Sequence, residues 1–534
     1  MGVLNGESTA VSPPSSANSV QPVCGAAVGG LPIVALALAA VAVHLVTNLG
    51  LGGYGYFRDE LYYIACSHHL AFGYVDHPSL SIILLWIELH LFGASMFALR
   101  LFPALAHGAE VIVAAMLARE MGGGRFAMGV AALAVLIAPV FLGLTAFYSM
   151  NAYDPLLWGV AGLVVVRILN SGDARLWLWF GLIAGIGLEN KISMLFLCLG
   201  VVAGLILTAR RRDLLSPWLW IGGALATLLF LPYVIWNARH GFPTLEFMHN
   251  ADLYKNYHPS LPAFAAAQLM LLNPLVAPLW MAGLCWCFFG ESGRYRLIGW
   301  IYVAVFALTL QGGKAYYAAP VYMLMLPAGA VALERFSSAR QWGVALRRAA
   351  VAVLVIAGVI SAPFALPLLP PNALASFAER LGPKQNNALV GERTEQGILP
   401  QNFADRFGWP EMAAAAAQAY ASLSPDERAH TAIFTDNYGE AGAIDFFGPG
   451  YGLPPAISGH NSYWFWGFGN RDIDTVIVLG GHQASLAKFF SEVIPAAKFR
   501  CRYCMGYENG LDIFICRKPV APIAKVWPRL KKFI

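Results

Sequence analysis

At 534 residues, 58% hydrophobic and only 12% charged, with a mean hydropathy of +0.59, the chain is too apolar for a soluble enzyme. Repeated apolar runs of about 17 to 25 residues make it a polytopic helical membrane protein. Its net charge of +5 is spread over many loops and forms no basic patch, so nucleic acid is excluded as a partner.

Residues 1–30 are rich in Ser, Pro, Gly and Ala and contain no Lys or Arg, which reads as a disordered tail rather than the charged start of a signal peptide. Residues 31–50 are long enough to be a first span. The stretch that follows, YGYFRDELYYIACSHHLAFGYVDHPSL at 54–80, carries Arg58, Asp59, Glu60, His68, His69, Asp76 and His77. Ionisable groups are costly to desolvate at a membrane edge, so this loop is the first candidate for a site. Residues 79–95 are apolar but include Glu88 and His90, and whether they cross can be decided from the charges further on.

If 79–95 lies along the surface, the later spans run at 101–118, 126–146, 155–169, 176–189, 192–208, 217–237, 263–289, 298–312, 315–333 and 349–369, eleven in all with the first. The clusters Arg119/Arg125, Arg167/Arg175, Arg210 to Arg212, Arg294/Arg296 and Arg335/Arg340/Arg347/Arg348 then share the cytoplasmic side, as the positive-inside rule requires. The N-terminus is inside and the C-terminal region outside.

That topology leaves a set of polar residues on the outer face. They are Arg58, Asp59, Glu60, Asp76, His77 and Arg100; Tyr148, Asn151 and Asp154 of FYSMNAYDP; Asn190 and Lys191 of GLENKIS; the loop 239–262; and Lys314, Tyr316 and Tyr317 of QGGKAYYAAP. Asp59 and Glu60 are neighbours and point about 100° apart on a helix, so only one can face a given substrate. Asp154, just before Pro155, is either a site carboxylate or the cap of its helix. Arg100, Lys191 and Lys314 either snorkel or hold an anionic group such as a phosphate. His68, His69 and His77 lack zinc spacing and read as surface or packing histidines, and no phosphate-binding Gly-rich loop is present.

The order of these motifs resembles a known family. Arg58-Asp59-Glu60 in the first external loop, then GYVDHPSL, then Arg100-Leu101-Phe102-Pro103, Asp154, GLIAGIGLENKIS and KAYYAAPVY, is similar to the polyprenyl-phosphate-dependent glycosyltransferases of the GT-C fold. The similarity is to family 39, the bacterial relatives of the protein O-mannosyltransferases and of the lipid A aminoarabinose transferase, and covers roughly 31–335. It departs in one place, where the family's His-Pro-Pro is His77-Pro78-Ser79. The resemblance implies a lipid-linked sugar donor at the outer face of the inner (cytoplasmic) membrane and an acceptor that is a glycolipid, polysaccharide or protein. It implies inversion at the anomeric carbon, with Asp59 at the family's catalytic position. Glu60 and Asp154 are the further catalytic candidates, and Arg58, His77, Arg100, Lys191, Lys314, Tyr316 and Tyr317 the substrate-binding ones. The residues specify no cofactor with certainty; a divalent metal between Asp59, Asp154 and a histidine stays open, as related folds sometimes employ one.

After Pro370 the character changes. Residues 371–534 read as a small α/β domain outside the membrane, with a helix over 410–423 and strands at Thr431–Thr435, Thr475–Leu479 and 512–516. The fold class expected is therefore an all-α polytopic membrane domain, 31–370, with an extracytoplasmic α/β appendage. The aromatic cluster His460, Tyr463, Trp464, Phe465 and Trp466 fits either core packing or sugar stacking. Cys501 and Cys504, with Cys516 nearby, permit a disulfide in an oxidising compartment without specifying the pair. The competing class of function is a transporter or flippase for a lipid or small anion; it would call for repeated halves, and no internal repeat is evident.

Overall fold

A computed structural model describes residues 31–49, 52–290, 293–312, 314–381, 392–393, 395, 397–469 and 472–534. The tail at 1–30 lies outside the described residues. The rest is a helical body followed by a small mixed α/β region, the class expected from composition.

Among the described residues, five helices are long and apolar enough to cross a membrane, or seven if two sharply bent pairs each count as one span. They include Leu101–Glu120, Pro217–Arg239 and Gly343–Ala365, and shorter apolar helices such as Leu31–Thr47, Arg125–Ile137 and Leu176–Asn190 pack among them. Two spans expected to be continuous are broken. The run 263–289 bends by 112° between Leu261–Leu272 and Ala277–Phe289. There Asn273 takes a positive φ of 78°, accepts from the Leu275 N–H and donates to the Ala357 carbonyl; its amide replaces the backbone partners that an unbroken helix would supply. The run 126–146 breaks at Pro139, which lacks an N–H to continue Arg125–Ile137 and instead starts Pro139–Leu144. Residues 79–95 form the 13-residue helix Leu80–Phe92.

Helix pairs meet through glycine, as expected where close backbone approach must replace a hydrophobic driving force. A Cβ on Gly181 would sit 2.1 Å from the Gly222 carbonyl oxygen, and one on Gly329 would sit 1.9 Å from that of Leu279. The second contact joins Ala277–Phe289 to Tyr322–Ser338.

The C-terminal region holds a five-stranded sheet made of β1 (Thr431–Thr435), β2 (Ala456–Ser458), β3 (Thr475–Leu479), β4 (Phe490–Lys498) and β5 (Asp512–Pro519), in the order β2-β1-β3-β5-β4. Strands β2, β1 and β3 are mutually parallel, with Ile433 opposite Ile477, and β5 runs antiparallel to both β3 and β4. The central strand β3 is buried throughout, which is why TVIVL reads as one apolar run. The helix Tyr438–Phe447 then docks this region on the first-loop helix Arg58–His68, with Gly442 so close that a Cβ would lie 2.8 Å from the Leu61 carbonyl carbon.

Gly329→Ala is expected to lower stability by about 1–3 kcal/mol by overpacking that crossing. Gly223→Ala, where a Cβ meets nothing within 4 Å, leaves stability unchanged or slightly raised. Thermal unfolding of both variants in detergent checks the contrast.

Candidate functional site

The first-loop helix begins at Arg58, and its first three residues are given three different tasks. Glu60 is fully buried and turns back to accept from the Phe57 N–H at 2.8 Å, closing the helix start. It also accepts from the Tyr148 N–H at 2.8 Å and from Arg100 Nε and Nη2, both at 2.7 Å. Burial alone would push the Glu60 carboxyl up; Arg100 and these donors outweigh it and hold it below its usual range. Arg100, 1% exposed, spends its remaining contact on the Gly55 carbonyl. Glu60, read from the sequence as a catalytic candidate, and Arg100, read as a substrate ligand, are placed against each other and away from solvent.

Asp59 points away from that pair. Its side chain is 29% exposed, accepts from the Tyr438 hydroxyl at 2.9 Å and lies 3.6 Å from Arg58 Nε. Arg58 faces the C-terminal region, donating to the Tyr507 hydroxyl at 2.6 Å, approaching Asp405 Oδ1 at 3.9 Å and lying over the Tyr438 ring.

A second cluster gathers where KAYY meets the loop 239–262. Lys314 pairs with Glu392, and Lys255 approaches the same carboxylate oxygen at 3.9 Å. The backbone fixes this meeting, for the Arg393 N–H donates to the Lys255 carbonyl at 2.8 Å. One carboxylate thus serves two ammonium groups. Lys314 gains most and its pKa is raised, with the gain from Glu392 outweighing burial; Lys255 is lowered, first by burial and then by Lys314 and Arg58. Glu392 is nearly buried, yet the two ammoniums hold it far below the ordinary carboxylate range. The charges of both Arg58 and Asp59 act on Lys255, so the two clusters share one electrostatic neighbourhood.

The third group joins FYSMNAYDP to GLENKIS. Asp154 opens the helix Asp154–Ser171 without capping it; Oδ2 lies 3.3 Å from Lys191 Nζ and accepts from the Ser193 hydroxyl at 2.8 Å. The Lys191 ammonium in turn sits 4.9 Å from the Tyr317 ring centre and 5.8 Å from that of Tyr316. His77 is buried against the Tyr63 ring at 4.6 Å, with Nδ1 on the Pro78 carbonyl. Its Nε2 lies 4.0 Å from Asp76 Oδ1, so His77 meets aromatic rings and a carboxylate rather than the cations.

Asp59, Asp154 and a histidine do not meet within ligand spacing of one another. Among the described residues the group that does is His430, Asp472 and Asp474, exposed just before the starts of the interior strands β1 and β3. No step through a metal is therefore derived. The described cysteines, Cys501, Cys504 and Cys516 included, are free thiols.

Sequence reasoning missed Lys255, Glu392, Asp405, Tyr438 and Tyr507. Lys255 lies inside the loop 239–262, which enters the sequence reading only as a block, and the other four lie in the C-terminal region, where no motif reveals their partners.

Three comparisons bear on this arrangement. Residues 76–236 match the family model described as dolichyl-phosphate-mannose-protein mannosyltransferase. The structure is similar to ArnT from Cupriavidus metallidurans bound to undecaprenyl phosphate, with a TM-score of 0.57 at 13% identity over 90% of this chain and 97% of that one. Its apo form gives 0.57 at 15% identity with the same coverage. The apo oligosaccharyltransferase of Archaeoglobus fulgidus gives 0.50 at 13% identity, over 84% of this chain and 69% of that one. No curated protein matches the chain. The fold is thus the GT-C fold of membrane glycosyltransferases.

Two predictions follow from the burial of these charges. Arg100→Gln strands Glu60 as a buried, uncompensated carboxylate and costs about 3–5 kcal/mol, read as a loss of folded, monodisperse protein; an Arg100 that served only to bind substrate would leave the fold intact. Glu508, 2% exposed beside Asn437, is pushed up by burial from 4.5 to about 7. The folded protein therefore keeps a proton that the unfolded chain releases, and stability falls as pH rises from about 4.5 to about 7. Melting curves at pH 5 and pH 8 should show that fall in the native protein and a smaller one in Glu508→Gln.

Proposed function

We propose that this protein transfers a sugar from a polyprenyl-phosphate donor to an acceptor at the face of the inner membrane that is turned away from the cytosol, with the C-terminal region on that same side. The observation that carries the reading is Asp59. It is the one carboxylate of the three clusters that is substantially exposed, its side chain at 29% against 0% for Glu60, 2% for Asp154 and 4% for Glu392, and it stands among Arg58, Lys255 and Lys314. The likeness to a structure bound to undecaprenyl phosphate supports the choice of donor, and the match to a mannosyltransferase family model supports sugar transfer.

The chemistry needs little else. Asp59 accepts the proton of the acceptor hydroxyl as that oxygen attacks the anomeric carbon. The bond from that carbon to the phosphate oxygen breaks, its electron pair leaves on the phosphate, and a single displacement inverts the centre. Cations preorganised at the phosphate stabilise the charge as it develops. Lys255 and Lys314 are suited to this, since a phosphate can bridge two ammoniums that one carboxylate, Glu392, now holds together. Arg58 is tied to Tyr507 and Asp405 and steadies Asp59 from beside it. Asp154, through Lys191, positions Tyr316 and Tyr317 at the edge of the same site.

Asp59→Asn is expected to lower transfer by about 10²–10⁴-fold while leaving membrane level and melting temperature unchanged. The measurement is mass spectrometry of envelope glycans and glycolipids from a deletion strain complemented with each form. Restoration by Asp59→Asn would remove Asp59 from the reaction. Lys314→Ala should weaken binding of undecaprenyl phosphate to the purified protein by about tenfold, the loss of roughly one charge-assisted contact.

A further inference from the structure

Cys501 and Cys504 form a Cys-x-x-Cys pair that the chemistry of the first site leaves unused, and the fold gives the two thiols unequal surroundings. Cys501 is partly exposed, whereas Cys504 is buried. The Cys504 N–H donates to the Cys501 sulfur at 3.2 Å, and the Cys504 thiol donates to the Cys501 carbonyl at 3.2 Å while lying against the Cys501 sulfur. We propose that these residues are a redox-active dithiol, Cys501 the attacking thiol and Cys504 the resolving one, and that its closure to a disulfide is transmitted to Arg58 at the start of the first-loop helix.

An unequal pair is what thiol–disulfide exchange requires. The thiolate is the nucleophile, so the sulfur that attacks is one that solvent reaches and whose negative charge is met by hydrogen-bond donors. The Cys504 thiol, with the N–H groups of Tyr503 and Cys504, holds Cys501 below the usual thiol range against its partial burial, and Cys504 as the donor is raised. The Cys501 N–H donates to Asn509 Oδ1 at 3.0 Å, which fixes the turn. The third thiol of the region, Cys516, is fully buried in the sheet, and burial pushes it up to about 12. The reaction is exchange with an alkyl disulfide. The Cys501 thiolate attacks one sulfur of that disulfide and the other sulfur leaves as a thiolate; Cys504, having given up its proton, then attacks the Cys501 sulfur and expels the second thiolate. Two electrons pass from the cysteines to the incoming disulfide, which departs as two thiols carrying the two protons.

The pair sits where such a change is felt at the first loop. Cys501 packs on Gly408, where a Cβ would lie 3.1 Å from the Cys501 sulfur and where a φ of 93° starts the helix Trp409–Ala421. Just upstream, the Asp405 and Arg406 carbonyls accept from the N–H groups of Arg58 at 2.9 Å and Gly55 at 3.1 Å. On the other side of the pair Met505 is fully buried, and two residues on Tyr507 accepts from the Arg58 guanidinium at 2.6 Å. Arg58 is thus held by two segments, and the dithiol lies between them. A disulfide brings its sulfurs to about 2.05 Å, well inside hydrogen-bond contact. With Met505 anchored, the shift falls on Cys501 and the segment at Gly408, and a close-packed interior passes it on. Only the consequence for turnover at Asp59, next to Arg58, rests on the transferase reading above.

The test treats the full-length protein in nanodiscs with reduced or oxidised glutathione and reads it by peptide mass spectrometry and hydrogen exchange. Oxidised glutathione should give a linked Cys501–Cys504 peptide and leave Cys516 a thiol. In the reduced protein iodoacetamide should alkylate Cys501 at least about tenfold faster than Cys504. Cys504→Ser should stop at a glutathione adduct on Cys501, and Cys501→Ser should give neither product. Exchange at the amides of Gly55 and Arg58 should rise at least about threefold on oxidation of the native protein and stay unchanged in Cys501→Ser. The proposal is overturned if oxidised glutathione leaves both thiols free, if Cys504 alkylates as fast as Cys501, or if the disulfide forms with exchange at Gly55 and Arg58 unchanged. None of these readouts involves turnover, so their failure and the failure of the transfer assay remain separate results.

Discussion

The buried pair Glu60–Arg100 decides where everything around the first loop can point. Its carboxylate gathers two guanidinium donors and two backbone N–H groups from Phe57 and Tyr148, joining the loop helix to the segments at 100 and 148 in one knot. Breaking such a pair leaves a charge in a poor solvent, a cost large against the net stability of a fold. Successive residues of a helix diverge by about 100°, so pinning Glu60 inward sends Asp59 outward to Tyr438. The exposed carboxylate is a consequence of the buried one.

The C-terminal region completes the same neighbourhood. Tyr438 and Tyr507 meet Asp59 and Arg58, Asp405 faces Arg58, and Glu392 supplies the shared anion for Lys255 and Lys314. An isolated pair of ammonium groups would repel; with Glu392 between them they are held close, and the arrangement has the charge pattern of a site for an anion with more than one oxygen. Gly442 and Gly439 let the helix Tyr438–Phe447 lie directly on the first-loop helix, where a methyl group would collide with Leu61 and with Arg58. The proposed donor site lies along this junction.

Much of this architecture was legible from residue patterns. Long apolar runs announce the helical body, and TAIFT, TVIVL and DIFIC announce β1, β3 and β5 because buried strands read as unbroken apolar stretches. The edge strand β4 was not legible: FSEVIPAAK mixes charge with Pro495 at a register shift, the features by which an edge avoids further pairing. Nor was the three-residue β2. Within the site, charge counts locate the loops but not the partners. Glu60 and Arg100 appear as two separate candidates in the sequence and face each other in the structure, whereas Lys255 and Glu392 appear as ordinary loop residues and prove to form one cluster with Lys314, in which Glu392 stands between the two lysines. Asp154 was open between cap and site, and its contacts with Lys191 and Ser193 take it out of the capping role.

The central claim is that Lys255 and Lys314, beside Asp59, hold the phosphate of a polyprenyl donor. The most direct measurement is a structure of the protein in nanodiscs with undecaprenyl phosphate added. The account predicts phosphate density within hydrogen-bond reach of both Lys255 and Lys314, with the Glu392 carboxylate moved off at least one of them. Phosphate seated at the Arg-rich opposite end of the bundle, with Glu392 still on both lysines, would contradict it.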